Sequence, residues 1–221
     1  MPNIVKNTTF PGLFDLLAPH SCRGCGRTGK ILCDCCKKNM IKSFSSFHPK
    51  INTKNLPPTY FIGERSDSLG KLIHDLKYQS VRAATKPLAE ILNETLPKYE
   101  GDIIIVPLPT ISKHIRTRGL DHTFLIAKRF AKLRGKNYRV ERLLLRNQDT
   151  VQVGTSKKTR LKQAASAYKI NPKIKIDQKS TYLLLDDVWT TGASMKAAYK
   201  TLSSAKIKKI NLIILALSTI D

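Results

Sequence analysis

Residues 183–194 read Leu183-Leu-Leu-Asp186-Asp187-Val188-Trp189-Thr190-Thr191-Gly192-Ala193-Ser194. An apolar run ends in two acids. Small and hydroxyl-bearing residues follow, and a helical pattern then runs over 192–205. That order predicts a buried strand, a tight loop and a helix. In open α/β sheets, ligands bind at the carboxyl ends of strands. A helix start leaves backbone N–H groups unpaired and carries partial positive charge, which suits a phosphate. Thr190, Thr191 and Ser194 add hydroxyl donors, and Gly192 lets the backbone come close. Asp186 and Asp187 would repel an anion, but carboxylates accept hydrogen bonds from sugar hydroxyls. The stretch therefore reads as a site for a ribose 5-phosphate group. The plainer alternative is an ordinary strand-to-helix turn with exposed or capping acids.

Outward from this loop, Thr181 to Leu185 and Ile210 to Leu217 read as strands. Asp102 to Val106 is a continuous apolar run closed by Pro107 and Pro109, as in a buried parallel strand. Leu69, Leu72, Ile73 and Leu76 make one helical face, and Leu88, Ile91, Leu92 and Leu96 another. A third helix is expected over 120–134, with Ile126, Phe130 and Leu133 in register. Val140 to Leu145 and Tyr60 to Gly63 are further candidate strands, and 10–19 a short amphipathic helix. Residues 43–59, rich in Ser, Asn and Pro, read as a linker. From 102 onward strands alternate with helices, which implies an α/β fold with a parallel sheet and crossover helices. The expected division is 1–48 for a small N-terminal module and 49–221 for the α/β domain.

All five cysteines lie between positions 22 and 36. Cys22 and Cys25 form one C-x2-C pair, Cys33 and Cys36 a second, with seven residues between them. Gly24 and Gly26 ease the turns. Four thiolates at this spacing predict a closed, structural zinc site with no position left for substrate. Arg23, Arg27, Lys30, Lys37 and Lys38 would offset its net negative charge. Cys35 is the spare thiol, and His20 an alternative ligand only if a cysteine is displaced. An odd, clustered set suits a reducing compartment better than a disulfide framework.

The chain has 221 residues with 39 Lys+Arg against 16 Asp+Glu, a formal net charge of +23. Such a balance favours polyanionic partners. Residues 113–175 alone hold 18 Lys+Arg and 3 Asp+Glu. Aromatics are sparse there: Phe124, Phe130, Tyr138 and Tyr168. Both phenylalanines sit in a helical pattern that favours core positions, so the basic surface suits nucleic-acid backbone more than base stacking. A generally basic composition is the alternative. No segment reaches the ~18 apolar residues of a membrane helix, and Phe10 to Ala18 is too short and too broken for a signal peptide. The expected location is the cytoplasm.

The stretch 183–194 resembles the 5-phosphoribosyl 1-diphosphate (PRPP) signature of type I phosphoribosyltransferases. With the double C-x2-C, Ile73-His-Asp-Leu-Lys77-Tyr78, Val106-Pro-Leu-Pro109, Arg116-Thr-Arg-Gly119 and 152–160, the whole chain resembles the ComF family of competence proteins (ComFC type). That resemblance implies a type I phosphoribosyltransferase-like sheet behind an N-terminal zinc finger. It implies that Asp186 and Asp187 contact the ribose 2′- and 3′-hydroxyls. Thr190, Thr191, Gly192, Ala193 and Ser194 would hold the 5-phosphate. Leu108 and Pro109 would lie in the diphosphate loop, with Mg²⁺ bridging diphosphate and ribose oxygens. Lys77, Arg116 and Arg118 are candidates to stabilise a departing diphosphate, and 146–160 a candidate lid carrying Lys157, Lys158 and Arg160. The chain departs from the family at 119–122, Gly-Leu-Asp-His where Gly-Phe-Asn-Gln is common, and at Gln163 where Asn is usual.

The resemblance implies natural transformation as the setting, with single-stranded DNA, a competence helicase or other DNA-uptake proteins as partners, in the cytoplasm or peripherally at the inner membrane. Three functions stay open at this point. One is an active phosphoribosyltransferase with an unidentified acceptor. The second is a DNA-handling accessory protein that keeps the PRPP site as a sensor. The third is a PRPP-responsive regulator, ranked last because no helix-turn-helix pattern stands out.

Overall fold

A computed structural model describes residues 19–45, 53, 55–65, 67–79, 81–110, 120–147 and 167–218. Its centre is a five-stranded, fully parallel sheet of β3 (Thr59–Glu64), β9 (Ile210–Leu217), β8 (Thr181–Trp189), β4 (Ile103–Pro107) and β5 (Tyr138–Val140), in that order. β9, β8 and β4 occupy the interior of the sheet, where ladder bonds run on both sides. Every residue of β4 is buried. A strand with helices on both faces has no solvent side to be polar on, so Ile-Ile-Ile-Val is what the position requires.

The period of two along each strand divides the core. Ile103, Ile105, Leu183, Leu185, Ile213 and Leu215 face one layer. Ile104, Val106, Tyr182, Leu184, Leu212 and Ile214 face the other. The first layer is covered by α2 (Asp67–Tyr78), α3 (Thr85–Thr95) and α4 (His122–Arg134), through Leu72, Leu76, Leu88, Leu92, Ile126 and Phe130. The second is covered by α5 (Ala193–Ser204), through Met195, Ala198 and Leu202, and by an antiparallel arm of β6 (Leu144–Arg146) and β7 (Tyr168–Ile170). The fold is thus mixed α/β, a parallel sheet flanked by helices, as the alternation of patterns predicts.

Ahead of the sheet, β1 (His20–Ser21) and β2 (Thr28–Gly29) form a hairpin, followed by α1 (Asp34–Ser45). This module packs onto α2 and α3. Cys22, Ile31 and Leu32 join the same apolar cluster as those helices. Arg23 Nε donates to Asp75 of α2 at 2.6 Å, and Lys37 Nζ reaches Glu90 and Glu94 of α3 at 2.9 and 3.2 Å. Phe44 of α1 lies against Gly63, where an added Cβ would come within 2.2 Å of its ring.

Several expectations are corrected. Val140 to Leu145 is not one strand. The ladder with β4 ends after Val140, and β6 then pairs with β7 as a separate arm. Leu133 is 49% exposed rather than on the buried face of α4. Phe124 is half-buried, with the Arg142 guanidinium 4.0 Å from its ring centroid. Ser43, read as linker, belongs to α1. Helix 10–19, apart from its last residue, and most of the lid 146–160 lie outside the described residues. Among the described residues no helix is long and apolar enough to cross a membrane.

Some of the positive charge is structural. Arg134, in the last turn of α4, donates to the carbonyls of Asn93, Leu96 and Pro97 at 3.0, 2.7 and 3.0 Å. Those carbonyls end α3 and have no helical partner of their own, so a cation is well placed there. Arg139 is held by Glu141 at 2.9 Å, and Arg142 by Asp121 at 3.3 Å.

Candidate functional site

β8 carries both acids to the carboxyl edge of the sheet, and its alternation sends them to opposite faces. Asp187 shares parity with Leu183 and Leu185, so it turns toward α2 and α4. There Lys77 Nζ lies 2.9 Å from Asp187 Oδ2, and His122 Nε2 lies 2.5 Å from the same oxygen. Asp187 is 6% exposed. Burial alone would push its carboxyl up, but the hydrogen bond from His122 and the charge of Lys77 outweigh that and hold it down to about 2. Asp187 is therefore an anchor held through Oδ2 by both Lys77 and His122.

Asp186 takes the other face and is half-buried. Its Oδ1 accepts from the Asp187 amide at 2.8 Å. Burial, and then the charge of Asp187, push its carboxyl up to about 8. The neighbouring acids are thus driven apart, the Asp187 carboxyl downward and the Asp186 carboxyl upward.

After the acids, Trp189 closes the strand. Its carbonyl accepts from Ser218, and its ring meets Phe61 edge-on at 5.4 Å. The chain turns at Gly192, whose φ of 72° is left-handed. A Cβ there would come within 2.1 Å of the Trp189 ring. Glycine is required twice over, by conformation and by space. α5 then begins with no side-chain cap and no acid in its first turn. Thr190, Thr191, Gly192, Ala193 and Ser194 line a hollow of about 50 Å³ together with Asp186, and the Ala193 amide donates to Thr191 Oγ1 at 3.4 Å. Hydroxyls and backbone amides at a helix start suit an oxyanion.

This hollow shares Asp186 and Ser194 with a cleft of about 270 Å³. The cleft brings together Lys77, Leu108, Pro109, Asp186, Asp187 and Ser194, all singled out from sequence. Leu108 is pinned there by its amide, which donates to Leu185 O at 2.8 Å. His122, Thr110, Arg146 and Tyr168 complete the wall. Arg116, Arg118, Lys157, Lys158 and Arg160 lie outside the described residues. Larger surface hollows of about 360, 560 and 610 Å³ sit beside the cysteines, along α5 and over α2. The strand-end cleft is the stronger candidate because Lys77 and the buried His122 converge on one oxygen of Asp187, with Asp186 lining the same cleft.

His122 was not assigned a role from sequence. Its neighbour Asp121 caps α4, accepting from the Phe124 amide at 3.3 Å. That cap fixes His122 as the first helical residue, directly above the strand end. An Asp preceding an apolar-periodic run was the readable signal.

The second site is the cysteine knuckle. Sγ atoms of Cys22, Cys25, Cys33 and Cys36 all lie within 4.8 Å of one another, with Cys25 and Cys33 at 3.8 Å. A tetrahedron with zinc–sulfur bonds of about 2.3 Å has edges of about 3.8 Å, so the set fits a four-thiolate metal such as zinc. Gly24 and Cys33 amides donate to Cys22 Sγ at 3.4 and 3.3 Å. Burial raises the Cys22 thiol, but the amides of Cys25, Cys33 and Gly24 outweigh it and bring it to about 6. The shared hydrogen bond with Cys33, followed by burial, pushes Cys36 up to about 12. Bare thiols this close cannot all ionise together, and a cation removes that conflict. A Cβ on Gly24 would fall 2.6 Å from Cys36 Sγ. Cys35 is exposed and outside the group, and the half-buried His20 is outside it too.

Comparison with known proteins gives no identification: no protein-family model matches the chain, and no curated protein matches it.

Proposed function

We propose that this chain is a phosphoribosyltransferase-like protein of the ComF type that binds PRPP with Mg²⁺ in the strand-end cleft. One observation carries the reading. The loop 186–194 joins a carboxyl pair to an uncapped helix start at the end of an interior parallel strand. The 50 Å³ hollow takes the 5-phosphate and the adjoining cleft the sugar and diphosphate. Asp186 and the diphosphate oxygens are the ligands available to Mg²⁺, a hard ion that keeps several waters.

The reading extends to natural transformation, with single-stranded DNA meeting the basic surface. The net charge of +23 supports it, as do exposed lysines such as Lys128, Lys132, Lys136, Lys173 and Lys175. Phosphate neutralisation releases counterions, so log K should fall linearly with log salt concentration.

An active transferase and a PRPP sensor share this site and differ in turnover. Incubation with PRPP and Mg²⁺, with single-stranded DNA or a panel of bases as acceptor, measures diphosphate release. A sensor gives binding without release. An electrophoretic shift series in salt tests the DNA half: steeply salt-dependent retardation is expected, and absent or salt-insensitive binding would remove it.

A further inference from the structure

Two buried polar atoms in the cleft have no hydrogen-bond partner among the described residues: Nδ1 of His122 and the hydroxyl of Tyr168. Each residue is 4% exposed, and both line the same 270 Å³ cleft. A buried polar atom without a partner is costly, and two around one cleft point to a ligand that completes them.

Geometry assigns what each can accept. Asp187 is ionised and can only accept, so His122 Nε2, 2.5 Å away, carries the ring proton. In the Nε2-protonated tautomer Nδ1 is an acceptor and takes an O–H or N–H from the ligand. The Tyr168 hydroxyl can give or take. It stands close to Ser194 without a bond of acceptable geometry, and its ring lies under Arg146, 5.6 Å from the guanidinium. Register across the β6–β7 arm holds Arg146 opposite Tyr168. Asp187 meanwhile has its Oδ2 occupied by both Lys77 and His122.

We propose that His122, with Tyr168, reads the hydroxyls of the sugar, and that Asp187 serves as the positioning residue that fixes the His122 tautomer. This rests on the sugar-phosphate reading of the cleft and changes its division of labour. Only Asp186 of the acidic pair meets the ligand directly. The second hydroxyl contact passes to an imidazole nitrogen, which demands a donor. The dianion of a phosphate ester offers none; a pentose 2′- or 3′-hydroxyl does.

The test compares ribose 5-phosphate with 2-deoxyribose 5-phosphate, followed by quenching of the single tryptophan, Trp189, which borders the phosphate hollow. Wild type should prefer the ribose compound by about tenfold, the value of one hydrogen bond at the upper end of its range. His122→Leu and Tyr168→Phe should bring the two sugars to near-equal affinity while leaving inorganic phosphate binding unchanged. His122→Gln, which can still donate to Asp187 and offers an oxygen acceptor, should restore part of the preference. Thermal melts confirm that each variant is folded; if His122→Leu is not, Tyr168→Phe alone carries the comparison. Folded variants that keep the wild-type ratio would overturn the proposal while leaving the sugar-phosphate reading standing. If wild type binds phosphate and neither sugar phosphate, the cleft reading fails as well.

Discussion

Replacing Cys33 with Ser should strip the metal from the knuckle and lower the melting temperature by about 10 °C. A structural zinc site supplies folding energy outright, with apparent values of about 10–16 kcal/mol in isolated fingers. Here part of the module is also held by apolar packing and by the Arg23–Asp75 and Lys37–Glu90 pairs. The net loss is therefore smaller, on the order of 3–5 kcal/mol, which for a domain of this size is roughly the stated shift in melting. The protein should bind one zinc per chain by atomic absorption. Cobalt substitution should give the thiolate charge-transfer bands of a tetrahedral S4 site. Cys35→Ser is the control, because Cys35 is exposed and outside the cluster, and it should leave metal content and melting unchanged. Equal loss in both variants would contradict the assignment of ligands.

The second large effect is expected from Lys77→Met. Removing one partner of a buried ion pair leaves its mate uncompensated and costs about 3–5 kcal/mol. The Lys77 and Asp187 side chains are 17% and 8% exposed, so solvent screens the pair weakly. The pH dependence carries a sign. Asp187 is held at about 2 against an ordinary 3.8. A depressed carboxyl stabilises the fold above its unfolded value, and that contribution is lost as pH falls from about 4 to about 2. The shift corresponds to on the order of 2 kcal/mol. Asp186 acts in the opposite sense. Its carboxyl is raised to about 8, so it opposes folding increasingly as pH rises from about 4 to about 8. Denaturant melts of wild type between pH 2 and pH 5 should therefore lose stability steeply toward the acid end. Lys77→Met should start lower at pH 7 and show a shallower acid limb. An acid limb of unchanged depth would mean that Lys77 does not hold Asp187 ionised.

Much of the sheet was legible because its strands are buried on both faces. Ile210–Leu217 runs over the residues its apolar pattern marks, and Asp102 to Val106 is displaced by one. The acids of β8 were legible as a site, because an ionisable pair stands out after an apolar run, but the strand expected to end at Leu185 runs on through them to Trp189. Their opposite facing was also readable, since Asp187 keeps the parity of Leu183 and Leu185. What Asp187 meets was not readable. Its partners come from 110 and 65 residues earlier in the chain, and only the packing of α2 and α4 on one face brings Lys77 and His122 to one oxygen. Val140 to Leu145 misled because apolar residues continue through the point where the chain leaves the sheet edge. Glu141 gives the last bond to β4, through Ile105 O at 3.0 Å, and Leu143 and Leu144 are buried in the other layer. The helix over 34–45 was missed because its polar, lysine-rich sequence buries little. Its apolar contacts, Met40, Ile41 and Phe44, form a narrow stripe against the body of the protein.

The most direct measurement is a calorimetric titration of PRPP with Mg²⁺ into wild type and into the double variant Asp186→Ala/Thr191→Ala. Both replaced side chains lie at the surface of the cleft and hollow, so the fold should survive the change. Wild type should take up one PRPP per chain, and the variant should bind at least about a hundredfold more weakly, the combined loss of a carboxyl contact and a phosphate contact. Saturable binding of equal strength in both proteins, or no uptake by wild type, would contradict a sugar phosphate seated in the loop 186–194.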